Sequence, residues 1–461
     1  MLNVLILAVF AAIGFTCAVA LVRRTNRVLT FRLLLLLNYI IANLISGIAH
    51  LLVNSESKRG YFDAALWLEP SQLEQAVLIQ VLGLFAVTVG VFSGLPKTPE
   101  VSLRPALEIS RAERLFLTTQ VIFLFPIAVF ASIRIQAYVA TLDLDRIIDV
   151  SGGMARYSFA AQWMVWAISL LLILAVFRGK YRQQVWPAFG LTIAVIAIAA
   201  SLQWTGGRSI LLVMTLPLVL VMIPRLRRAR WIGVPVAIAI FLVYLSQVSE
   251  SRFANTRLGS TGLVEWLDWE WGRFSMVGFS VQYVDSHGLL LGETFAAGFE
   301  NFVSGILKIV SLPAVNIPAQ TSMSVAAEQL LRSNSDIYIV PGMSAEFYLN
   351  FGIPGVIVGY LVLGRLCGWA DERIQRAVSP VTQLAWAYLG TLLVFRTITA
   401  DSASVYNYFF FTGAPLVLAA IVSFLFHRHS AKISAYNQFD HSNSISRPSR
   451  IDTSTPAPQS N

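Results

Sequence analysis

Apolar residues occur along this chain in blocks of about twenty, and short polar segments rich in arginine separate the blocks. A helical block of that length crosses the roughly 30 Å hydrocarbon core of a bilayer. The pattern therefore predicts an all-α, polytopic integral membrane protein with about eleven transmembrane helices. We place the spans at residues 2–22, 33–53, 75–95, 115–137, 159–177, 185–204, 209–223, 232–248, 342–364, 382–395 and 406–426.

Composition agrees with lipid as the main solvent for the chain. Of 461 residues, 56% are hydrophobic and 13% are charged, whereas about 25% of the residues in a soluble domain are charged. The formal net charge of +9 raises the question of nucleic acid as a partner. However, the basic residues form short clusters between apolar blocks, with no basic stripe interleaved with aromatic residues. We therefore expect a lipid bilayer, and no nucleic acid, as a partner.

The basic residues indicate how the spans are oriented. Most of the 34 Lys and Arg residues fall on one set of alternate loops, which the positive-inside rule assigns to the cytoplasm. An odd number of spans then predicts an outward N-terminus and a cytoplasmic C-terminus. We expect one transmembrane unit over residues 1–426. The tail over 427–461, rich in Ser, Asn and Pro, is typical of disordered cytoplasmic sequence.

A long outward loop is predicted over residues 249–341. A loop of that length is usually either functional or disordered, and its many aromatic residues argue against disorder. We therefore expect the loop to be functional. Within it, the apolar stretch 289–312 is interrupted by charged residues and favours an interfacial or re-entrant helix. Arginines and carboxylates alternate with tryptophans near its start, and the candidates there are Arg252, Arg257, Trp269 and Arg273. They fit either a sugar and phosphate site or an aromatic belt with interfacial ion pairs.

Two glycines precede an arginine at the turn Gly206-Gly207-Arg208-Ser209, between two predicted spans. Glycines let backbone approach a ligand closely, and their exposed N–H groups can form an anion site. The guanidinium of Arg208 adds a planar, permanent charge that suits phosphate. The alternative is a tight interhelical turn whose arginine reaches to the membrane surface.

The segment 344–355 leads into a later span and contains Glu346, Tyr348 and Asn350. Glu346 and Asn350 are four residues apart, so they share one helical face. A carboxylate at the membrane boundary suggests a general base, and the alternative is a carboxylate favoured by the dipole of the helix N-terminus. In the turn that follows a later span, Arg396 either joins an arginine cluster or pairs with Asp401.

Other polar residues give weaker signals. His287 stands alone in the outward loop as a candidate proton acceptor. Asp143 and Asp145 form a poor metal motif, and no zinc, calcium or P-loop pattern occurs. Cys17 and Cys367 fit packing positions. The sequence predicts no metal and no cofactor.

Taken together, these features resemble the Wzy-type polymerases of O-antigen and other oligosaccharide repeat units. The resemblance rests on Gly206–Ser209, on 344–355 read as S-x-E-x-Y-x-N-F-G-x-x-G, and on many spans with one large late outward loop. It implies a membrane glycosyltransferase of the bacterial inner membrane that acts at the periplasmic face on undecaprenyl-diphosphate-linked oligosaccharides. It also suggests a chain-length regulator protein as a partner.

The resemblance also implies roles for the candidate residues. Arg208, Arg273 and Arg396 would bind the diphosphate, and Glu346 would act as base or orienter. Substrate contacts would come from Gly206, Gly207, Arg252, Arg257, Trp269, Tyr348 and Asn350. An O-antigen ligase and a non-enzymatic polysaccharide transporter or flippase remain alternatives. A transporter tends to have ionisable residues at the bilayer midplane, whereas those of this chain gather at the outward ends of the spans.

Overall fold

The computed structural model describes residues 1–25, 27, 30–52, 68–95, 109–141, 154–177, 185–202, 208–222, 274–309, 313, 321–322, 325, 341–396 and 400–428. Within these ranges, the side chains of 139–141, 154–155, 185–188, 199, 202, 208–212, 308–309 and 396 are not described. The predicted span 232–248 and the predicted disordered part of the tail beyond residue 428 lie outside the described residues.

The described part of the chain is all-helical, as the sequence predicts. Its α-helices are α1 (Leu2–Thr25), α2 (Phe31–Tyr39), α3 (Ser46–Leu52), α4 (Pro70–Phe92), α5 (Arg111–Thr141), α6 (Met154–Val176), α7 (Val185–Leu202), α8 (Arg208–Met222), α9 (Phe274–His287), α10 (Glu293–Ile309), α11 (Met343–Arg376), α12 (Pro380–Thr391), α13 (Ser402–Asn407) and α14 (Ala414–Arg428). Three π-helical turns extend these helices, namely π1 (Ile40–Ile45), π2 (Leu392–Arg396) and π3 (Tyr408–Thr412).

Among the described residues, six helices are long and apolar enough to cross a membrane, and a seventh span results if the bent α13–α14 pair is one crossing. Three further apolar helices are shorter, at Phe189–Ile198, Val213–Met222 and Pro380–Phe395. Large apolar side chains such as Phe123 and Phe130 are exposed along these helices, as lipid contact requires. The chain is therefore compatible with a multi-pass membrane protein.

At the centre of the bundle, α4 and α11 run in the same direction. Gln75 contacts Tyr348 near the beginning of both helices, and Gly90 lies against Gly364 further along. A Cβ on Gly364 would lie 2.7 Å from the carbonyl carbon of Gly90, so only glycine permits this approach. Helix α2 and π1 run antiparallel to α11, because Asn43 of π1 contacts Ser344 at the start of α11.

The C-terminal end of α11 carries charged residues. We name this end of the bundle the Asp371 end. The Asp371 carboxylate accepts hydrogen bonds from the backbone N–H groups of Phe31 (2.8 Å) and Arg32 (3.2 Å) and so caps α2. The Arg32 guanidinium lies 3.6 Å from Glu372. This end also includes Glu113, at the start of α5, which accepts a hydrogen bond from Ser423. Arg32 and Arg365 both lie next to Gly94, just after α4, and Arg376 ends α11, so these three arginines of the basic loops lie at one end of the bundle.

The described part of the predicted loop 249–341 contains α9 and α10. Residues Phe274–Val281 of α9 are all buried, and the helix packs against α3, α4 and α11. Helix α10 is strongly amphipathic and begins at Glu293, within the stretch where the sequence predicts an interfacial or re-entrant helix. Its aromatic face carries Phe295, Phe299 and Phe302, which contact α11, α13 and π3. Both helices thus pack on the bundle.

Candidate functional site

The site is built around a break in α11. Gly352 has φ 63° and ψ −152°, a conformation that side chains other than glycine rarely adopt. Two residues later, Pro354 has no N–H to donate to the carbonyl of Asn350. The helix therefore leaves the carbonyl oxygens at the break open to other donors.

A tight loop between α9 and α10 supplies those donors. The N–H of Leu290 donates to the carbonyl of Leu349 (2.9 Å), and the N–H of Leu291 donates to that of Asn350 (3.0 Å). Gly288, Leu291 and Gly292 have positive φ values of 84°, 49° and 99°. The loop is therefore tightly turned and docked on the broken helix by its backbone.

The side chain of Asn350 completes this docking. Its Oδ1 accepts hydrogen bonds from the N–H groups of Gly292 (2.9 Å) and Thr294 (3.4 Å). Its Nδ2 donates to the hydroxyl of Thr294 (2.7 Å) and to the carbonyl of Glu346 (2.7 Å). The Asn350 amide thereby satisfies N–H groups at the start of α10 that would otherwise have no helical partner.

The Glu346 carboxylate joins three elements. The residue is 0% exposed. Its Oε1 accepts hydrogen bonds from the hydroxyls of Thr294 (2.9 Å) and Ser402 (2.7 Å), and its Oε2 accepts one from the N–H of Ser402 (2.8 Å). Helices α10, α11 and α13 are therefore held together by one buried side chain. We name Thr294, Glu346, Asn350 and Ser402 the Glu346 junction.

The adjacent carboxylate, Asp401, caps α13. Its Oδ1 accepts a hydrogen bond from the N–H of Ser404 (2.9 Å), and its Oδ2 lies 3.5 Å from the hydroxyl of Ser322. The pairing of Asp401 with Arg396 stays a prediction, because the Arg396 side chain is not among those described.

Tyr348 faces α4. Its hydroxyl accepts a hydrogen bond from the side-chain amide of Gln75 (2.6 Å), and the residue is buried. Both Tyr348 and Asn350, predicted to contact substrate, therefore direct polar atoms to protein groups. In this arrangement they support the N-terminal end of α11.

His287 ends α9 next to the docked loop. Its ring stacks on Tyr283 at 4.5 Å between centroids and is exposed. Its Nδ1 lies 2.8 Å from the Ser286 hydroxyl and 3.3 Å from the Tyr283 carbonyl. The histidine is therefore held by its own helix and not by the junction.

The other predicted site residues are only partly described. Arg208 begins α8 and Arg396 ends π2, and α8 packs against α12 and π2. The structure thus describes their backbone but not where their side chains lie. Gly206, Gly207, Arg252, Arg257, Trp269 and Arg273 lie outside the described residues. The arginine cluster stays a prediction.

A separate buried polar network joins α2, π1, α4 and α11. The Tyr39 hydroxyl donates to Gln80, at 2.8 Å from its carbonyl and 2.9 Å from its Oε1. Ser344 shares a short hydrogen bond with Tyr360 and donates to the Oδ1 of Asn43 (3.4 Å). These four elements therefore enclose a buried network of uncharged polar side chains.

Sequence reasoning did not identify Thr294 and Ser402. The one local signal is the pattern Asp401-Ser402-Ala403-Ser404, which is typical of a helix start. Nothing near Thr294 in the sequence indicates a carboxylate partner, because that partner lies 52 residues further along the chain.

Comparison of the chain with protein-family models, with curated proteins and with solved structures found no match. Within the described part, no group of three or more His, Cys, Asp or Glu side chains is arranged to hold a metal ion. The fold and the site define an all-helical protein with several membrane-compatible helices and a hydrogen-bonded junction at one end.

Proposed function

We propose that this chain is a Wzy-type membrane glycosyltransferase of the bacterial inner membrane. It polymerises undecaprenyl-diphosphate-linked oligosaccharide repeat units into a surface polysaccharide at the periplasmic face. The observation that carries the proposal is the Glu346 junction, because the segment 344–355 that bears the resemblance forms the hydrogen-bonded centre of one end of the bundle.

The reaction requires a charged leaving group to be stabilised. The acceptor hydroxyl oxygen bonds to the anomeric carbon of the growing chain, while the bond from that carbon to the lipid diphosphate breaks. The hydroxyl proton passes to a base, and the negative charge stays on the departing diphosphate. Preorganised guanidinium groups lower the energy of that developing charge, and we assign this role to Arg208, Arg273 and Arg396.

The remaining candidates bind or orient the substrate in this proposal. Gly206 and Gly207 let backbone approach the diphosphate. Arg252, Arg257 and Trp269 contact sugar or phosphate groups through charge and stacking. The contacts of Glu346 favour the role of orienter over that of base, since three protein donors already occupy its carboxylate.

The distribution of charge supports the proposed orientation. Among the described residues, Arg32, Arg365 and Arg376 lie at the Asp371 end, and the positive-inside rule assigns an end rich in arginine to the cytoplasm. The Glu346 junction lies at the opposite end of α11 and would then face the periplasm, where lipid-linked sugars are joined. The proposal includes about eleven spans, a periplasmic N-terminus and a chain-length regulator as a partner.

Deletion of the gene, followed by glycan-ladder gels, tests the function. Loss of a polymerase leaves single repeats, whereas loss of a ligase leaves long chains on the carrier lipid. Loss of a flippase leaves repeat units facing the cytoplasm, which would support the transporter alternative. Either of the last two results contradicts the proposal.

Complementation with variants tests the arginines. Arg208→Ala should shorten or abolish the ladder at normal protein levels, and Arg208→Lys should recover little, because an ammonium lacks the bidentate geometry of a guanidinium. Arg376→Ala is the matched control, since Arg376 is exposed at the Asp371 end. A full-length ladder with Arg208→Ala removes Arg208 from the proposal.

A further inference from the structure

We infer that Thr294 and Ser402 are positioning residues of this site and that they act through Glu346, which anchors the start of α13, the first described helix after Arg396. This inference rests on the proposed function, since it explains how that function's arginine would be held. It also separates Glu346 from the step in which the acceptor hydroxyl loses its proton.

The first step of the inference concerns the carboxylate itself. A carboxylate offers about four lone-pair positions, and described protein groups use three at Glu346. All three donors are protein hydroxyl or backbone N–H groups, and the residue is 0% exposed. About one position remains, but the residue is 0% exposed, so a sugar hydroxyl reaches it only if Glu346 moves out of its packed site. That movement would leave Ser402 or Thr294 with a buried donor that has no partner, which is unfavourable.

The second step concerns the two described attachments that precede and follow Arg396 in the chain. Before Arg396, the carbonyl of Val394 accepts a hydrogen bond from the side-chain amide of Asn38 (2.8 Å). After Arg396, Ser402 donates its N–H and its hydroxyl to Glu346. Arg396 lies between these two attachments. The backbone on both sides of the arginine is therefore held to buried groups of other helices.

The third step concerns α10. Thr294 links its first turn to Glu346, and one turn further along the helix Gly298 lies against α13. A Cβ on Gly298 would be 3.1 Å from the Cα of Ala403 and 3.1 Å from the hydroxyl of Ser402. Helices α10 and α13 are therefore packed closely at the point where both bond to the carboxylate. The anchor therefore joins α10, which follows the docked loop, to α13, the first described helix after Arg396.

The test combines hydrogen exchange with polymerisation kinetics on the full chain in lipid nanodiscs. Glu346→Gln should increase exchange at the Ser402 amide at least tenfold, because the N–H loses a charged acceptor. Thr294→Val keeps the shape of the side chain and removes the hydroxyl, and Ser402→Ala does the same at its position. Each variant should lower kcat for a purified lipid-linked repeat about tenfold and leave KM within about twofold. The reason is that the lost bond changes the alignment of the site residues and not the binding of the substrate.

Two further variants separate positioning from general damage. Thr294→Ser keeps the hydroxyl, so its kcat should be close to that of the parent and higher than that of Thr294→Val. Thr118→Val is the matched control, because the Thr118 hydroxyl donates to the carbonyl of Arg114 in its own helix (2.8 Å) at the Asp371 end. It should change neither kinetics nor exchange at Ser402.

The outcomes distinguish this inference from the proposed function. If Glu346→Gln leaves hydrogen exchange at the Ser402 amide unchanged, the anchor is overturned. If Glu346→Gln fails to fold, Ser402→Ala replaces it in this test, because it removes the bond from the Ser402 hydroxyl to Glu346. Failure of Thr294→Ser to restore kcat overturns the role of the hydroxyl. A parent protein that forms no polymer overturns the proposed function, while the exchange data still decide whether Glu346 anchors the start of α13.

Discussion

Ser402 donates both its backbone N–H and its hydroxyl to the carboxylate of Glu346, 56 residues earlier in the chain. The two bonds reach different oxygens, at 2.8 and 2.7 Å, so the orientation of the carboxylate is set by one residue of another helix. Thr294 then adds a bond from a third helix. A residue expected from the sequence to act on substrate is thus also a structural link.

Glu346→Ala should destabilise the protein strongly. The substitution leaves the hydroxyls of Thr294 and Ser402 and the N–H of Ser402 buried without their acceptor, which should cost about 2–5 kcal/mol. Thermal unfolding in detergent measures the loss. Glu74→Ala, at an exposed site of α4, should change stability by less than about 0.5 kcal/mol. Equal stability of the two variants would contradict the buried network.

Gly352→Ala should close the break in α11 or strain it. At φ 63° and ψ −152° any Cβ is unfavourable, and such strain costs about 1–3 kcal/mol. The comparison is Gly288→Ala, where φ is 84° and no atom lies within 4 Å of the added Cβ. We expect the larger loss of thermal stability at Gly352, whose conformation also sets the docked loop. A larger loss at Gly288 would show that the break is not required.

Leu291→Asn should not weaken the protein and should stabilise it by a few tenths to about 1 kcal/mol. Leu291 has φ 49°, a left-handed conformation that asparagine tolerates better than leucine. The side chain is 77% exposed, so the substitution removes little packing. The same change at the neighbouring Leu290, which packs against a small cluster that includes Tyr283, should lower thermal stability. Destabilisation by Leu291→Asn would argue against this loop conformation.

Cysteine labelling tests the proposed orientation. A membrane-impermeant thiol reagent applied to cells with a permeabilised outer membrane should label Leu291→Cys and leave Arg376→Cys unlabelled. The positions lie at opposite ends of the bundle, and both are exposed. The parent chain, with a partly buried Cys17 and a buried Cys367, measures the background. Labelling of Arg376→Cys alone would reverse the orientation and place the junction in the cytoplasm.

Several elements could be predicted from local pattern. Helices α1, α4 and α6 begin and end within about five residues of the predicted spans, because runs of apolar residues report directly on membrane crossing. The shared face of Glu346 and Asn350 follows from helical spacing, and both side chains contact Thr294. The predicted number of spans is not confirmed. Among the described residues, about half of the predicted eleven have the length and hydropathy that a membrane crossing needs.

The sequence by itself determined that the described chain is helical and that several of its helices are compatible with a membrane, because the length and apolar content of each helix are local properties. Only the tertiary structure decided what Glu346 does in the folded protein. Its partners come from segments 52 and 56 residues away, and their approach depends on a helix broken at Gly352 and on the packing of Gly298 against α13. Hydrogen bonds between distant segments arise from packing, which no local pattern of residues specifies.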